Sequence, residues 1–218
     1  MHSRRPAGCG AEDSMKGKDN KGFWDRWAKR YDLMMSGDGR TYGQIVDLMK
    51  GRLNREMAVL ELACGTGLLS VKLAGSVKLW EATDFSEEMI RQAKAKAHSS
   101  RLHFSVQDAT DIPYAAETFD AVVISNALHI MPEPEKALAQ IRRVLKPGGI
   151  LIAPTFTAAG TLSGRMRIRI MELSGFQVFH KWTPKEYLDF LKENGFEVTR
   201  GKTFGGGLKL TYVEAGRR

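Results

Sequence analysis

The fold is decided by the stretch Val59-Leu60-Glu61-Leu62-Ala63-Cys64-Gly65-Thr66-Gly67-Leu68-Leu69-Ser70. An apolar run with strand character ends at two closely spaced glycines, and a segment with helical character follows directly. Glycine permits a tight turn and a close approach of the backbone to a bound group. The pattern therefore predicts a strand, a turn and a helix that bind a nucleotide-like ligand. A plain strand-to-helix turn is the alternative that this segment leaves open.

The glycine spacing bears on which ligand the turn binds. A dinucleotide fingerprint has three glycines in the order G-x-G-x-x-G, whereas this chain has Ser70 at the third position. Glu61 also places an acid inside the apolar run. Both features argue against a nicotinamide-dependent oxidoreductase.

Segments with strand and helix character alternate through most of the chain. The predicted strands are 57–62, 77–83, 101–106, 119–125 and 149–154, and the predicted helices of this part are 67–74, 86–97, 133–145 and 183–193. Strands separated by helices indicate a doubly wound, Rossmann-like α/β sheet with mostly parallel strands. Two strand-like runs near the C-terminus, 196–199 and 208–213, predict an antiparallel hairpin. The run 165–170 fits either a strand or a helix.

The chain is predicted to have three parts. Residues 1–20 are rich in Gly, Ser, Lys and Asp and are expected to form a disordered leader. Residues 21–55 contain two amphipathic segments and are expected to form an N-terminal helical cap. Residues 56–218 are expected to form the ligand-binding domain, with a lid-like insertion at about 155–182.

Composition restricts the class of protein. The net charge of +8 comes from the two ends of the chain, and surface charge is a simpler explanation for it than nucleic-acid binding. Two cysteines are too few for a disulfide framework, which predicts a reducing compartment and a cytoplasmic location. No apolar stretch in the sequence is long enough to span a bilayer.

Polar residues follow the predicted strands where a ligand would bind. Asp84 ends the second strand, about 20 residues after the glycine turn, where a carboxylate can accept hydrogen bonds from ribose hydroxyls. Asp108 follows the third strand and could accept a bond from an adenine amino group. Ser125, Asn126 and His129 follow the fourth strand and are expected at the mouth of the same crevice.

These motifs, in this order, resemble those of the class I S-adenosylmethionine-dependent methyltransferases. Residues 61–67, Asp84, Asp108-Ala109, the strand 119–126 and residues 145–149 are similar to the "type 11" group, which includes ubiquinone and menaquinone biosynthesis enzymes. Residues 27–32 resemble the segment that precedes the domain in that group. Ala63 is a departure, because many members have glycine there.

The resemblance implies S-adenosylmethionine as the cofactor and gives each matched position a role. Glu61, Ala63, Gly65 and Gly67 would hold the methionine part, and Asp84 would hold the ribose. The adenine would lie among Phe85, Met89, Asp108 and Ala109. Asn126 would lie behind the sulfonium, and Tyr31 would close over the cofactor. The cofactor-binding residues implied are Tyr31, Glu61, Ala63, Gly65, Gly67, Asp84, Phe85, Met89, Asp108, Ala109 and Asn126.

The sequence predicts an enzyme that moves a methyl group by in-line displacement to a small, hydrophobic or aromatic acceptor. His129 is the candidate general base, because imidazole titrates near neutral pH. A packed, non-catalytic histidine is the alternative at that position. Methylation of RNA and cofactor binding without catalysis are the alternative functions. No metal site is predicted, and the sequence does not indicate the oligomeric state.

Overall fold

The computed structural model describes residues 20–35, 39–157, 166, 169–170, 172–173, 176–205 and 209–218. The sequence prediction for residues 1–19 therefore lies outside the described residues. The proposed lid, 155–182, is described only in part. Of the segment 165–170, which fits a strand or a helix, residues 166, 169 and 170 are described, and these three are helical.

Within the described residues, eight strands form a single sheet in the order β3-β2-β1-β4-β5-β8-β6, with β7 paired to the other side of β8. The strands are β1 (Ala58–Leu62), β2 (Leu79–Asp84), β3 (Leu102–Val106), β4 (Phe119–Ile124), β5 (Leu145–Ile152), β6 (Thr155–Thr157), β7 (Phe196–Phe204) and β8 (Lys209–Arg217). Strands β1 to β5 are parallel, and β8 pairs antiparallel with β5, β6 and β7. The predicted fold class and its C-terminal hairpin are confirmed.

Six helices in the described part of the chain accompany the sheet. They are α1 (Lys21–Met35), α2 (Gly39–Lys50), α3 (Ser70–Leu73), α4 (Glu87–Lys94), α5 (Pro134–Val144) and α6 (Pro184–Glu193). Short 3-10 turns follow α3 at Ala74–Ser76 and β4 at Leu128–Ile130. Thr183 caps α6 through a capping box with Glu186, and Pro184 occupies the first turn.

The sheet is buried on both faces, since alternate strand residues enter two different cores. Val59 and Val123 pack with α2, α3 and α4, whereas Leu60 and Val122 pack with α5 and α6. This arrangement explains the nearly continuous apolar runs of β1 and β4, because both faces of each strand need apolar side chains.

Two element boundaries differ from the prediction for identifiable reasons. Strand β5 begins at Leu145 rather than at residue 149, because its pairing with β4 shifts register between Phe119 and Ala121 and accommodates Pro147-Gly148-Gly149. Helix α3 begins at Ser70 rather than at residue 67, because the glycine turn continues to Leu69. The short strand β6 was not predicted; it begins the segment expected to be a lid.

Candidate active site

The candidate site lies where the direction of the sheet reverses. From β1 the chain moves outward through β2 to β3, then returns to the other side of β1 to form β4 and β5. In open α/β sheets a ligand binds at this switch point, outside the carboxyl ends of the strands. The residues that follow β1, β2, β3 and β4 therefore meet at one edge of the sheet.

The turn after β1 has a backbone that most side chains disfavour. Gly65 and Gly67 have φ angles of 56° and 77°, and Ala63 has 52°. A Cβ placed on Gly67 would lie 3.1 Å from Phe104 Cζ and 3.3 Å from Ala93 Cβ, so the turn also approaches its neighbours closely. The left-handed φ of Ala63 gives a physical reason for the glycine common at that position in the group that the sequence resembles. Strained backbone of this kind is typical of ligand-binding turns.

Glu61 supports the glycine turn through hydrogen bonds to its carboxyl group. Its Oε2 accepts hydrogen bonds from Ser70 Oγ and from Trp80 Nε1, the latter at 2.9 Å. Only 2% of the residue is exposed, and this burial raises the pKa of the Glu61 carboxyl to about 7. Ser70, at the position where a dinucleotide motif has its third glycine, is thus the hydroxyl that binds the acid of this motif.

Asp84 fixes the turn from the end of β2. Its Oδ2 accepts from Gly65 N at 2.8 Å, and its Oδ1 accepts from Ser86 N at 2.9 Å. Burial raises the pKa of the Asp84 carboxyl to about 6, and these two backbone bonds oppose that rise. Because an ionised carboxylate has about four acceptor positions, lone pairs remain for a further donor.

Phe85 and Met89 lie at the start of α4, beside Asp84. Phe85 is half-buried and Met89 is buried. Ser86 caps the helix by accepting from Met89 N at 3.1 Å. The Ser86 hydroxyl in turn donates to Asp25 of α1, which ties the N-terminal helix to the edge of the site.

Asp108 and Ala109 follow β3 and differ in exposure. Asp108 is exposed, and its Oδ1 accepts from Thr110 N at 2.8 Å and from Thr110 Oγ1 at 2.7 Å, whereas Ala109 is buried. Gln107, which precedes them, has a buried Oε1 without a hydrogen-bond partner. The end of β3 therefore presents both a turn-forming acid and an unused acceptor.

Asn126 lies at the end of β4 in a left-handed conformation, with a φ of 52°. Its N–H donates to Pro154 O at 2.8 Å, and its Nδ2 donates to Tyr42 Oη at 2.6 Å. Its Oδ1 is buried and lacks a partner, as does the Oγ of the preceding Ser125. Since buried acceptors normally have partners, these two atoms indicate a place for a ligand donor.

Tyr31 of α1 covers the turn from above. A Cβ on Gly65 would lie 3.6 Å from Tyr31 Cε1, an ordinary packing distance. The Tyr31 hydroxyl is hydrogen-bonded to Tyr42, and burial, the two nearby acids Asp84 and Asp32, and this bond raise the pKa of the Tyr31 phenol. The next residue, Asp32, accepts from Thr66 Oγ1 and pairs with Lys96 Nζ at 2.7 Å. Helix α1 thus closes over the turn.

His129 lies in the 3-10 turn that follows β4 and is 7% exposed. Its Nδ1 is 2.9 Å from Thr155 Oγ1, and burial together with nearby His180 lowers the pKa of its imidazole to about 4. The side chain is therefore neutral at physiological pH and is a weaker base than a free imidazole.

Aromatic rings connect the start of α1 with the loop after residue 175. Phe23 stacks on Trp27 at 5.7 Å and lies 5.3 Å from Phe176, and Trp24 contacts Phe176 and Tyr31 at 5.5 Å and 5.7 Å between ring centroids. Asn20 reinforces this junction by bonding Ile130 O, Gln177 O and Gln177 N. We call Phe23, Trp24, Trp27, Tyr31 and Phe176 the aromatic cluster.

The sequence did not predict three of the contacts found in the site. They involve Tyr42, Asp25 and Asp32, which come from α1 and α2 rather than from the strand ends. The spacing of apolar residues in these helices indicates which face is buried, but it does not indicate which polar side chain meets the turn.

The residues present fit S-adenosylmethionine. The glycine turn lets the backbone approach a ligand, Asp84 retains acceptor capacity, and Asn126 Oδ1 is an unused acceptor. In the described part of the chain, no group of three or more histidine, cysteine or acidic side chains is arranged to hold a metal ion.

The sheet order and the turn at its switch point define the class of fold, a Rossmann-like domain. Residues 60–153 match the family model described as a methyltransferase domain. The matched segment contains the turn and the polar residues that follow β2, β3 and β4.

Curated relatives agree with this match. The demethylmenaquinone methyltransferase of Clavibacter sepedonicus is 43% identical over 100 residues, which cover 45% of this chain and 41% of that protein. The ubiquinone/menaquinone biosynthesis C-methyltransferase of Geotalea daltonii is 26% identical over 217 residues and 90% of each chain. The chain spans about half the length of several demethylmenaquinone methyltransferases that it matches.

Among solved structures, magnesium protoporphyrin IX methyltransferase from Synechocystis with bound SAH (S-adenosylhomocysteine) superposes with a TM-score of 0.69 at 22% identity, over 91% of this chain and 96% of that one. This likeness concerns the fold. Together the comparisons confirm the predicted resemblance to S-adenosylmethionine-dependent methyltransferases.

Proposed function

We propose that this chain transfers a methyl group from S-adenosylmethionine to a small, hydrophobic or aromatic acceptor by in-line displacement. The observation that carries the proposal is the left-handed glycine turn that Asp84 holds through Gly65 N at 2.8 Å, at the switch point of the sheet. The cofactor, when bound, supplies a methyl group already activated on a sulfonium.

The order of the strands supports the roles assigned to the binding residues. Along the sheet edge the chain presents Asp108 after β3, Asp84 after β2, the glycine turn after β1 and Asn126 after β4. This order matches a ligand whose adenine, ribose and amino-acid parts follow one another. We therefore assign the adenine to Asp108, Ala109, Phe85 and Met89. The ribose is assigned to Asp84, and the amino-acid part to the turn and Asn126.

In this scheme Glu61 supports the turn, since its carboxyl group accepts hydrogen bonds from Ser70 and from Trp80. Tyr31 closes the site, because its ring packs over Gly65. Positioning of this kind can contribute about 7–11 kcal/mol to a reaction between two held groups. The protein's task in the proposed reaction is mainly to orient the reactants and to exclude water.

The aromatic cluster supports an apolar acceptor. Its rings lie where α1 meets the loop after residue 175, next to the helix that covers the turn. The curated relatives named above act, by their names, on demethylmenaquinone and in ubiquinone and menaquinone synthesis. We accordingly propose a phenol, quinol or similar aromatic compound as the acceptor.

His129 is proposed as the proton acceptor where the methyl acceptor must lose a proton. Its imidazole is neutral, and its neighbour Thr155 fixes one ring nitrogen. With a pKa of about 4 it is a weak base, so in this proposal the proton leaves the acceptor as the methyl group arrives and not before.

The division of the chain is part of the same proposal. Residues 21–55 form the cap over the site, which α1 supports by packing against α4. The lid on the acceptor side is proposed for residues of about 155–182, and most residues between 158 and 175 lie outside the described part of the chain. In the described part of the chain, no helix is both long and apolar enough to cross a membrane. The buried free thiol of Cys64 supports a reducing, cytoplasmic location.

The proposal is tested with S-adenosylmethionine carrying a labelled methyl group. The chain is incubated with phenols, quinols, amines and a structured RNA, and the transferred label is measured. We expect label on a phenol or quinol, and much less for Asp84→Ala than for the surface variant Asp111→Ala. Label on RNA alone would contradict the proposed acceptor class, and binding without any transfer would contradict the enzyme assignment.

A further inference from the structure

The Tyr42 hydroxyl connects the helical cap to the residue that follows β4. Tyr42 lies on α2 and is 8% exposed. Its Oη accepts from Asn126 Nδ2 at 2.6 Å and is hydrogen-bonded to Tyr31. The three side chains come from α2, from the loop after β4 and from α1, so one short chain of hydrogen bonds joins three parts of the chain near the glycine turn.

Asn126 is the member of this chain whose geometry is unfavourable in the absence of a ligand. Its φ is 52°, and its Oδ1 is buried without a partner. Asparagine tolerates a left-handed conformation better than most residues, but an unsatisfied buried acceptor costs stability. The pair of Tyr42 and Asn126 is therefore not explained by packing alone, since Tyr42 satisfies the amide nitrogen and leaves the oxygen unused.

The direction of the Asn126 amide follows from this contact. An asparagine amide can present either its oxygen or its nitrogen to a site, and its neighbours decide which. Tyr42 Oη takes the nitrogen, so the oxygen remains for the ligand. Without the Tyr42 hydroxyl, the amide nitrogen loses this partner, and the observed direction of the amide loses the contact that holds it.

We propose that Tyr42 is a positioning residue, whose hydroxyl turns Asn126 so that Oδ1 accepts a hydrogen bond from the ammonium group of the cofactor's amino-acid part. This inference rests on the proposed function. The choice of donor follows from strand order: Asp84 and Asp108 lie on the β2 and β3 side of the turn, and Asn126 lies on the opposite, β4 side. A cation is also the donor that a buried, unpaired amide oxygen binds most strongly.

The test compares two ligands that share adenine and ribose. S-Adenosylhomocysteine carries the amino-acid part, and 5′-methylthioadenosine lacks it. Calorimetry is run on the full chain with wild type, Tyr42→Phe and the control Tyr212→Phe, whose hydroxyl donates to Glu214 Oε1 on β8. We expect Tyr42→Phe to weaken S-adenosylhomocysteine binding by about 3- to 10-fold, the value of one hydrogen bond, and to leave 5′-methylthioadenosine binding unchanged. Tyr212→Phe should change neither affinity.

A double-mutant cycle with Asn126→Ala gives a second measurement. If Tyr42 acts through Asn126, the loss caused by Tyr42→Phe should disappear in the Asn126→Ala background. Equal losses for both ligands, or a loss that persists without Asn126, would overturn the inference while leaving the proposed function intact. Failure of the wild-type chain to bind either ligand would contradict the proposed function, and the role of Tyr42 with it.

Discussion

Glu61→Gln tests whether the acid that supports the glycine turn is buried, with a raised pKa. The substitution keeps the shape of the side chain and an oxygen that can accept from Ser70 and Trp80. It removes the group whose pKa burial raises from 4.5 to about 7. The two proteins should therefore differ in how their stability depends on pH.

The sign follows from the raised pKa of Glu61. The folded state holds its proton more tightly than the unfolded state, so the stability that this group contributes is fully present below about pH 4.5 and is lost as the pH rises through about 7. A shift of this size corresponds to about 3 kcal/mol, since one pKa unit is about 1.4 kcal/mol. The glutamine variant should gain up to about 3 kcal/mol relative to wild type between about pH 4.5 and about pH 8.

The assay is urea unfolding of both proteins across this pH range, without ligand. Taking the difference between the two removes the contributions of titrating groups that do not interact with Glu61. Glu197→Gln, on the exposed side of β7, is the matched control and should follow wild type at every pH. A difference between Glu61→Gln and wild type that does not vary with pH would refute the reasoning, because the acid would then titrate as it does in water.

Three further predictions concern Gly67 in the glycine turn, Asp84 and His129. Gly67→Ala should destabilise the fold by about 2–4 kcal/mol in urea unfolding, from its φ of 77° and its 3.1 Å approach to Phe104, whereas Gly75→Ala, which meets no atom within 4 Å, should change little. Asp84→Ala should weaken S-adenosylhomocysteine binding at least about 10-fold by calorimetry; an unchanged affinity would remove it from the site. NMR titration should find His129 neutral down to about pH 5, since its pKa is lowered to about 4, and an inflection near pH 6.5 would contradict its burial.

The sheet could be predicted from the sequence because its strands are buried on both faces. The mainly apolar runs of β1 and β4 are typical of strands buried on both faces, and the helices between strands indicate parallel pairing. The polar residue that follows each apolar run also identifies the edge of the sheet where a ligand binds. Asp84 and Asn126 could therefore be placed near one another.

The contacts between these residues could not be predicted in the same way. A carboxylate at the end of β2 can bind a ribose or a backbone N–H, and only the folded turn brings Gly65 N within 2.8 Å of Asp84. The interaction of Tyr42 with Asn126 joins residues 84 positions apart, and local patterns do not contain that distance. The pKa of His129 also depends on burial by other elements, so its type alone predicted an ordinary imidazole.

Thermal unfolding with three ligands, S-adenosylmethionine, S-adenosylhomocysteine and NAD, tests the central claim most directly. At a ligand concentration of about 100 times the dissociation constant, binding should add about 2.7 kcal/mol and raise the melting temperature by about 5–10 °C. We predict this rise with S-adenosylmethionine and S-adenosylhomocysteine and no rise with NAD. A rise with NAD and none with the other two would contradict the account.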